Sequence, residues 1–275
     1  MAEVALDRGA GLAKREPFPL RWYHENLAAA RAALSFIAVG LIWEVLGQSG
    51  RWPLVITPLS SVFVSFGKML ASGQLQRHIM ISLNEFIWGF LLAAAIGIVL
   101  GILIATSDTV HDFVDPWISA LYSTPTVALA PLFIVIFGID TPSKIAVVFL
   151  LAVFPIVINT ATGIRSTDRV YLEAARSFCA SRNQIFTKVL IPSALPFIVA
   201  GLRLGIGRGL VGVVVGELFG ARGGLGFLIL TSSQVFDTAG LWVGVFVLAG
   251  TGILSVLLLQ KLERRMAPWR EFEFK

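Results

Sequence analysis

A chain of 275 residues that is 56% hydrophobic, only 14% charged and of formal net charge +5 has too few ionisable groups to clothe a water-facing surface, where about a quarter charged is usual. A soluble globule is excluded, and a single cysteine, Cys179, excludes an intrachain disulfide scaffold. The apolar content fills about six spans of roughly 20 residues each, so the expected class is an all-α polytopic membrane protein whose basic excess reflects loop placement rather than nucleic-acid binding.

Residues 1–30 are polar and of mixed charge, with no continuous apolar core, and read as a cytoplasmic tail rather than a cleavable signal. Residues 31–76 then hold the first span, roughly 32–46, and an external segment. Glu44 lies near the outer end of that span and reads as interfacial. The runs 86–105, 116–139, 145–164 and 238–260 contain no Asp, Glu, Lys or Arg. Because a charge at mid-bilayer costs about 2.5–3.5 kcal/mol on the insertion scale, these runs read as spans. A further span, roughly 196–215, carries Arg203 and Arg208, and a tail at 260–275 closes the chain.

With an even number of spans both termini share a side with the loops after the second and fourth spans. That side holds fifteen Lys and Arg residues, among them Arg31, Arg165, Arg176, Arg182 and Lys261. The other side holds five, Arg51, Lys68, Arg77, Lys144 and Arg222, so the first side is expected to be cytoplasmic. Asp108, Asp112 and Asp115 make one inner loop acidic, but acidic residues weigh little in this rule. Trp22, Trp52, Trp117, Trp242 and Trp269 fall near span ends, as amphipathic indoles prefer. Small residues recur every fourth position, Gly89, Ala93, Gly97, Gly101 and Ala105, then Gly201, Gly205 and Gly209, then Gly212, Gly216 and Gly220. Such stripes let helices approach closely. Gly207, Gly209 and Gly212 also spell G-x-G-x-x-G, but inside an apolar helix with no preceding strand they do not read as a dinucleotide site.

Residues 165–190 form a connection much longer than a helix pair needs. Ser166 and Thr167 are placed to cap a helix with Asp168 in its first turn, and Tyr171, Leu172, Ala175, Phe178 and Cys179 recur at helical spacing opposite Glu173 and Arg176. Ser181 is placed to cap a second helix, 182–190, which Pro192 and Pro196 would end and redirect. From periodicity alone, a helix lying on the bilayer surface remains an alternative.

The run Leu172-Glu173-Ala174-Ala175-Arg176, with Phe178, Cys179 and Ala180 after it and Val189-Leu190-Ile191-Pro192 beyond, resembles the EAA loop of ABC transporter permeases of the type I importers. Cys179 stands where that motif has glycine. Five further stretches, ITPLSSVFVSFGKML, SLNEFIWGFLLAAAIGIVLGILIA, ALYSTPTVALAPLFIVIFGI, FPIVINTATGIRSTDRVYLEAARSFCASRNQIF and VVVGELFGARGGLGFLI, resemble the nitrate, sulfonate, taurine and bicarbonate branch of that family, from residue 54 to the C-terminus. The resemblance implies a type I transmembrane domain over 77–259, in a chain of about six transmembrane helices, with a cytoplasmic coupling-helix (EAA) loop that docks on an ATPase subunit. It further implies two ATPase subunits carrying ATP and magnesium, a second permease copy as a homodimer, an external substrate-binding protein, residence in a bacterial inner membrane and uptake of a small oxyanion. Cys179 would resist the left-handed turn that a glycine eases. On this reading Ala175→Asp leaves insertion intact and abolishes uptake.

No lysine in the chain is followed by Ser or Thr, so the phosphate-cradling G-x-x-x-x-G-K-[ST] loop is missing and hydrolysis is expected on a partner. Polar interruptions mark candidate pathway positions, because they are tolerable beside water and costly against lipid. They are Ser123, Thr124, Pro125 and Thr126, with Pro131 after them, and then Arg203, Arg208 and Glu217. For the first group a simple proline kink is an equal alternative. Arg203 can instead snorkel to the inner interface, and Glu217 can pair with a basic group. His24, His78 and His111 are scattered and show no metal-binding spacing, so no metal or cofactor is expected in the chain. An intramembrane enzyme lacks a nucleophile–base pair. An ion-coupled secondary transporter is the better rival, but internal repeats and midplane carboxylates do not stand out.

Overall fold

Uncharged runs in lipid can satisfy their backbone only as helices or closed barrels, and the described residues contain helices and no strand. The computed structural model describes residues 18–50 and 57–266. The start of the expected N-terminal tail with Arg8, Lys14 and Arg15, then Arg51 and Trp52, and the C-terminal Trp269, Arg270 and Lys275, lie outside the described residues. In chain order the helices are α1 (Phe18–Gln48), α2 (Leu59–Ala71), α3 (Gln74–Thr106), α4 (Asp108–Ser123), α5 (Ala130–Phe137), α6 (Thr141–Arg165), α7 (Arg169–Ser177), α8 (Arg182–Ile185), α9 (Ile191–Gly220), α10 (Leu225–Gln234) and α11 (Thr238–Met266). α1 thus begins inside the expected tail.

Among the described residues five helical segments are long and apolar enough to cross a membrane: Ala30–Gln48, Gln74–Thr106, Thr141–Arg165, Arg182–Gly220 and Thr238–Arg265. The expected span over 116–139 is broken. Asp108–Ser123 and Thr126–Phe137 meet at 89°, so the count is six only if this bent pair is one span. Pro125 causes the break, since a proline forces the preceding residue out of the helical region, and Thr124 is extended at φ −74°, ψ 139°.

Two boundaries differ from the sequence expectation. α3 starts at Gln74, well before residue 86, and so carries Glu85 inside a helix. The helix expected to end at Pro192 instead runs on. Residues Phe186–Leu190 form a π-helical turn in which the Ile191 N–H donates to the Phe186 carbonyl. Pro192 then falls in the first turn of α9, where a missing N–H costs little.

The chain divides into two compact units, 1–60 and 61–275. In the first, the Trp43 indole donates to the Thr57 carbonyl at 2.9 Å. Glu44 accepts from the Ser60 N–H at 3.0 Å and its hydroxyl at 2.7 Å, so its carboxylate fastens the return of the chain after α1.

In the second unit α6 is the central helix, packed along α3 on one side and α9 on the other. The small-residue stripes explain how. A Cβ added to Gly97 would meet Ile156 at 2.9 Å, one on Gly101 Thr160 at 2.7 Å, and one on Gly212 the Cα of Val148 at 2.9 Å. Both stripes therefore press backbone against α6, whose Val147, Val148, Ile156 and Val157 are almost completely buried. Close backbone approach of this kind replaces the hydrophobic drive that lipid cannot supply between helices.

Candidate functional site

The 165–190 connection is built by its caps. α7 is capped by Asp168, whose Oδ1 accepts from the Val170 N–H at 2.9 Å, and not by Ser166 or Thr167 as the sequence suggested. Ser166 instead donates back to the Gly163 carbonyl at 3.1 Å, and the Thr167 hydroxyl is buried without a partner among the described residues. The Ser166 and Thr167 N–H groups close the last turn of α6, donating to the Thr162 and Ile164 carbonyls, which leaves Asp168 as the residue at the start of α7. α8 is capped as expected: the Ser181 hydroxyl accepts from the Gln184 N–H while the Gln184 side chain accepts from the Ser181 N–H at 2.8 Å. This is a reciprocal capping box.

Between the two lies the turn at Cys179. The Cys179 N–H donates to the Arg176 carbonyl at 2.8 Å and the Ala180 N–H to the Ala175 carbonyl at 3.0 Å, the bonding of a Schellman stop. Cys179 takes φ 55°, so the cysteine adopts the left-handed turn its Cβ disfavours. Replacement by glycine removes roughly 1 kcal/mol of local cost. Cys179→Gly is therefore expected to slow amide hydrogen exchange over 176–181 and leave membrane levels unchanged.

No residue of α7 is buried. Val170, Tyr171, Ala174 and Phe178, at i, i+1, i+4 and i+8, form one exposed apolar face, with Phe178 at 87% exposure. Leu172 and Ala175 are half-buried, and Glu173 and Arg176 are exposed. Ala174, rather than Ala175, thus sits on the open face.

The interrupted third span leaves Ser123, Thr124 and Pro125 exposed and Thr126 half-buried. The first two hydroxyls are spent locally: Ser123 donates to the Ser119 carbonyl at 2.7 Å and Thr124 to that of Ala120 at 2.9 Å. Arg203 faces α11, where it pairs with the buried Glu263 at 3.5 Å. It also lines a groove of about 380 Å³ between α9 and α11. Arg208 is exposed, with no hydrogen bond or ion pair to the described residues. It shares the open face of α9 with Phe197, Leu204, Val211 and Leu218.

Glu217 is placed differently from an open pathway residue. It is completely buried, and it belongs to a polar cluster that the sequence reading did not assemble. α10 begins at Gly224-Leu225-Gly226-Phe227, and a helix start leaves four N–H groups without helical partners. All four are met here by side chains of other helices. The Gly224 N–H donates to His78 Nδ1 at 3.1 Å and that of Leu225 to Ser82 Oγ at 2.7 Å. Those of Gly226 and Phe227 donate to Glu217 Oε2 at 2.5 and 3.4 Å. Ser82 in turn donates to Glu217 Oε1 at 2.5 Å.

Gly224 lies at φ 112°, and a Cβ there would overlap the Glu217 carboxyl, while one on Gly226 would reach Glu217 Oε2 at 3.0 Å. The glycines are what admits the carboxylate. At the other side of the same turn the Lys144 ammonium donates to the Gly220 carbonyl at 2.5 Å, to that of Asp140 at 3.3 Å and to that of Ile139. A cation thus closes the C-terminus of α9 and an anion the N-terminus of α10, each complementing its helix dipole. Glu85, also buried, adds a second carboxyl group beside Lys144 and Glu217. One signal was available: Ser82, Glu85 and Gly89 at i, i+3 and i+7 continue the small-residue stripe of α3.

Comparison with known proteins agrees with this architecture. The family model described as "Binding-protein-dependent transport system inner membrane component" matches residues 97–268. The chain is 36% identical over 230 residues, 83% of each chain, to the protein of Bacillus subtilis named as an aliphatic sulfonates transport permease, SsuC. It is 35% identical over 257 residues to the taurine transport system permease protein TauC of Escherichia coli, covering 91% of this chain and 94% of TauC. To the formylaminopyrimidine transport permease protein ThiX of Halalkalibacterium halodurans it is 33% identical over 244 residues, 88% of this chain and 97% of ThiX. Among solved structures, a chain of the inward-facing MetNI methionine ABC transporter has the same fold, at TM-score 0.58 and 22% identity over 70% of this chain and 94% of that one. The chain is therefore a multi-pass membrane protein that belongs to the binding-protein-dependent transport system inner membrane components, as an ABC importer permease of the branch that holds SsuC, TauC and ThiX.

Proposed function

We propose that this permease imports a small oxyanion, of the aliphatic sulfonate, taurine, nitrate or bicarbonate type, by alternating access driven by separate ATPase subunits. The observation that carries the coupling half is the exposed apolar face of α7, Val170, Tyr171, Ala174 and Phe178, which no part of the described chain covers. An uncovered apolar patch on an otherwise polar loop is the mark of a protein interface. Two ATPase subunits, carrying ATP and magnesium, take the loops of two permease copies, and an external binding protein delivers substrate. The basic excess on the loop side supports cytoplasmic termini in a bacterial inner membrane.

Arg208 supports the choice of an anion. One guanidinium on the open apolar stripe of α9 is costly against lipid, and becomes favourable where the stripe of one copy faces that of a second across an aqueous path. The relatives SsuC and TauC carry the names of sulfonate and taurine permeases, which fits a cationic path.

Affinity capture of the tagged chain from native membranes in mild detergent tests the assembly. Recovery of an ATPase and of two permease copies per complex is expected, and recovery of the chain without an ATPase removes the exposed face of α7 as the coupling surface. Uptake of labelled taurine, an alkanesulfonate, nitrate, bicarbonate and a formylaminopyrimidine then ranks the substrates. A charge-assisted hydrogen bond contributes about 1.5–3 kcal/mol, so Arg208→Gln is expected to lower anion uptake by about tenfold or more at unchanged membrane levels. Undiminished anion uptake by this variant removes Arg208 from the path.

A further inference from the structure

The segment Arg182–Gly220 is continuous helix over 39 residues, about 58 Å at 1.5 Å per residue. Its first residues belong to the connection that carries α7 and α8, and its last turn carries Glu217. One helical rod therefore joins the loop side of the molecule to the far end of the bundle.

At that far end the rod does not simply stop. Glu217 accepts the second and third N–H groups of α10 together with the Ser82 hydroxyl, and Ser82 accepts the first. Hydrogen bonds to a buried carboxylate are short and strong. Breaking them would leave buried donors unpaired, so α10 follows the end of α9 rather than sliding over it. Lys144 holds the Gly220 carbonyl at the same turn and ties it to the start of α6.

We infer that Glu217 is a positioning residue that makes α10 and its flanking turns, 221–236, the external-side element displaced when the coupling loop moves. The inference rests on the coupling reading of α7 and α8 proposed above. Displacement of the loop is carried along the rod and handed to α10 through the Glu217 and Ser82 cap. With the cap removed, the rod still moves and α10 no longer follows it.

Hydrogen–deuterium exchange on the permease–ATPase complex in nanodiscs, without nucleotide and with ATP plus vanadate, tests this directly, because the capped amides are themselves the reporters. In the natural sequence peptides over both 168–185 and 221–236 are expected to change protection between the two states. In Glu217→Met, which removes both acceptor oxygens, the change at 221–236 is expected to be lost while that at 168–185 persists. Glu217→Gln, which keeps one acceptor oxygen but can no longer accept from the Ser82 hydroxyl on the other, is expected to weaken the change at 221–236, and serves if Glu217→Met fails to assemble. A nucleotide response at 221–236 that survives undiminished in both variants overturns the role of Glu217. A natural complex that responds at 168–185 and not at 221–236 overturns the displacement of α10. No response at 168–185 overturns the coupling reading itself, and this inference with it.

Discussion

Ala174→Asp is expected to abolish uptake and co-purification of the ATPase while the chain still inserts and accumulates normally. Ala174 is exposed in the isolated chain, in the middle of the face formed by Val170, Tyr171 and Phe178. A carboxylate there is solvated until a partner covers it. Covering it leaves an uncompensated buried charge, at a cost of about 3–5 kcal/mol, or more than a hundredfold in partner affinity. Ala175→Asp is expected to produce a mixed defect, because Ala175 is half-buried and its charge also disturbs the loop. Quantitative capture of the ATPase by both variants, alongside membrane levels by fluorescence-detected size exclusion, separates the two effects. Full capture by Ala174→Asp sinks this face as the docking surface.

Gly224→Ala is expected to remove most folded protein from the membrane. The position requires φ 112°, and its Cβ would overlap the Glu217 carboxyl. Strain of about 1–3 kcal/mol for the backbone adds to the displacement of a carboxylate that caps the buried Gly226 N–H and the half-buried Phe227 N–H, at up to about 1–3 kcal/mol each. The sum approaches the whole stability of an ordinary domain. Gly207 is the matched control: a Cβ there meets nothing within 4 Å, and Gly207→Ala gains helix propensity, so its thermal midpoint in detergent is expected to hold or rise. Equal midpoints for the two variants would remove the packing argument for Gly224.

Much of this was readable before any coordinates, for reasons that differ by element. The uncharged runs announce spans because lipid offers the backbone no alternative to a helix. The glycine stripes announce which faces touch, and Gly97, Gly101 and Gly212 do press on α6. Ser181 with Gln184 three residues on announces a helix start, since both halves of the box are local. The Asp168 cap was misread by one or two positions because three adjacent residues can all cap, and only the end of α6 decides between them. The continuation of the helix through Pro192 was missed because a π-turn leaves no mark in a residue pattern. The His78, Ser82, Lys144 and Glu217 cluster was missed for a different reason. Its members and the α10 amides they cap lie up to 146 residues apart, and a charge beside an apolar run reads locally as the edge of a span. Lys144 directly precedes the run 145–164 and Glu85 the run 86–105, yet both are buried within the bundle.

The right-angled break after Ser123 bears on how the chain enters the bilayer during synthesis. α4 has 16 residues and α5 has 8, about 24 Å and 12 Å of helix, against a hydrocarbon core of about 30 Å. Neither half alone crosses that core, so the two are expected to enter lipid as one segment and to bend at Pro125 once α3 and α6 pack beside them.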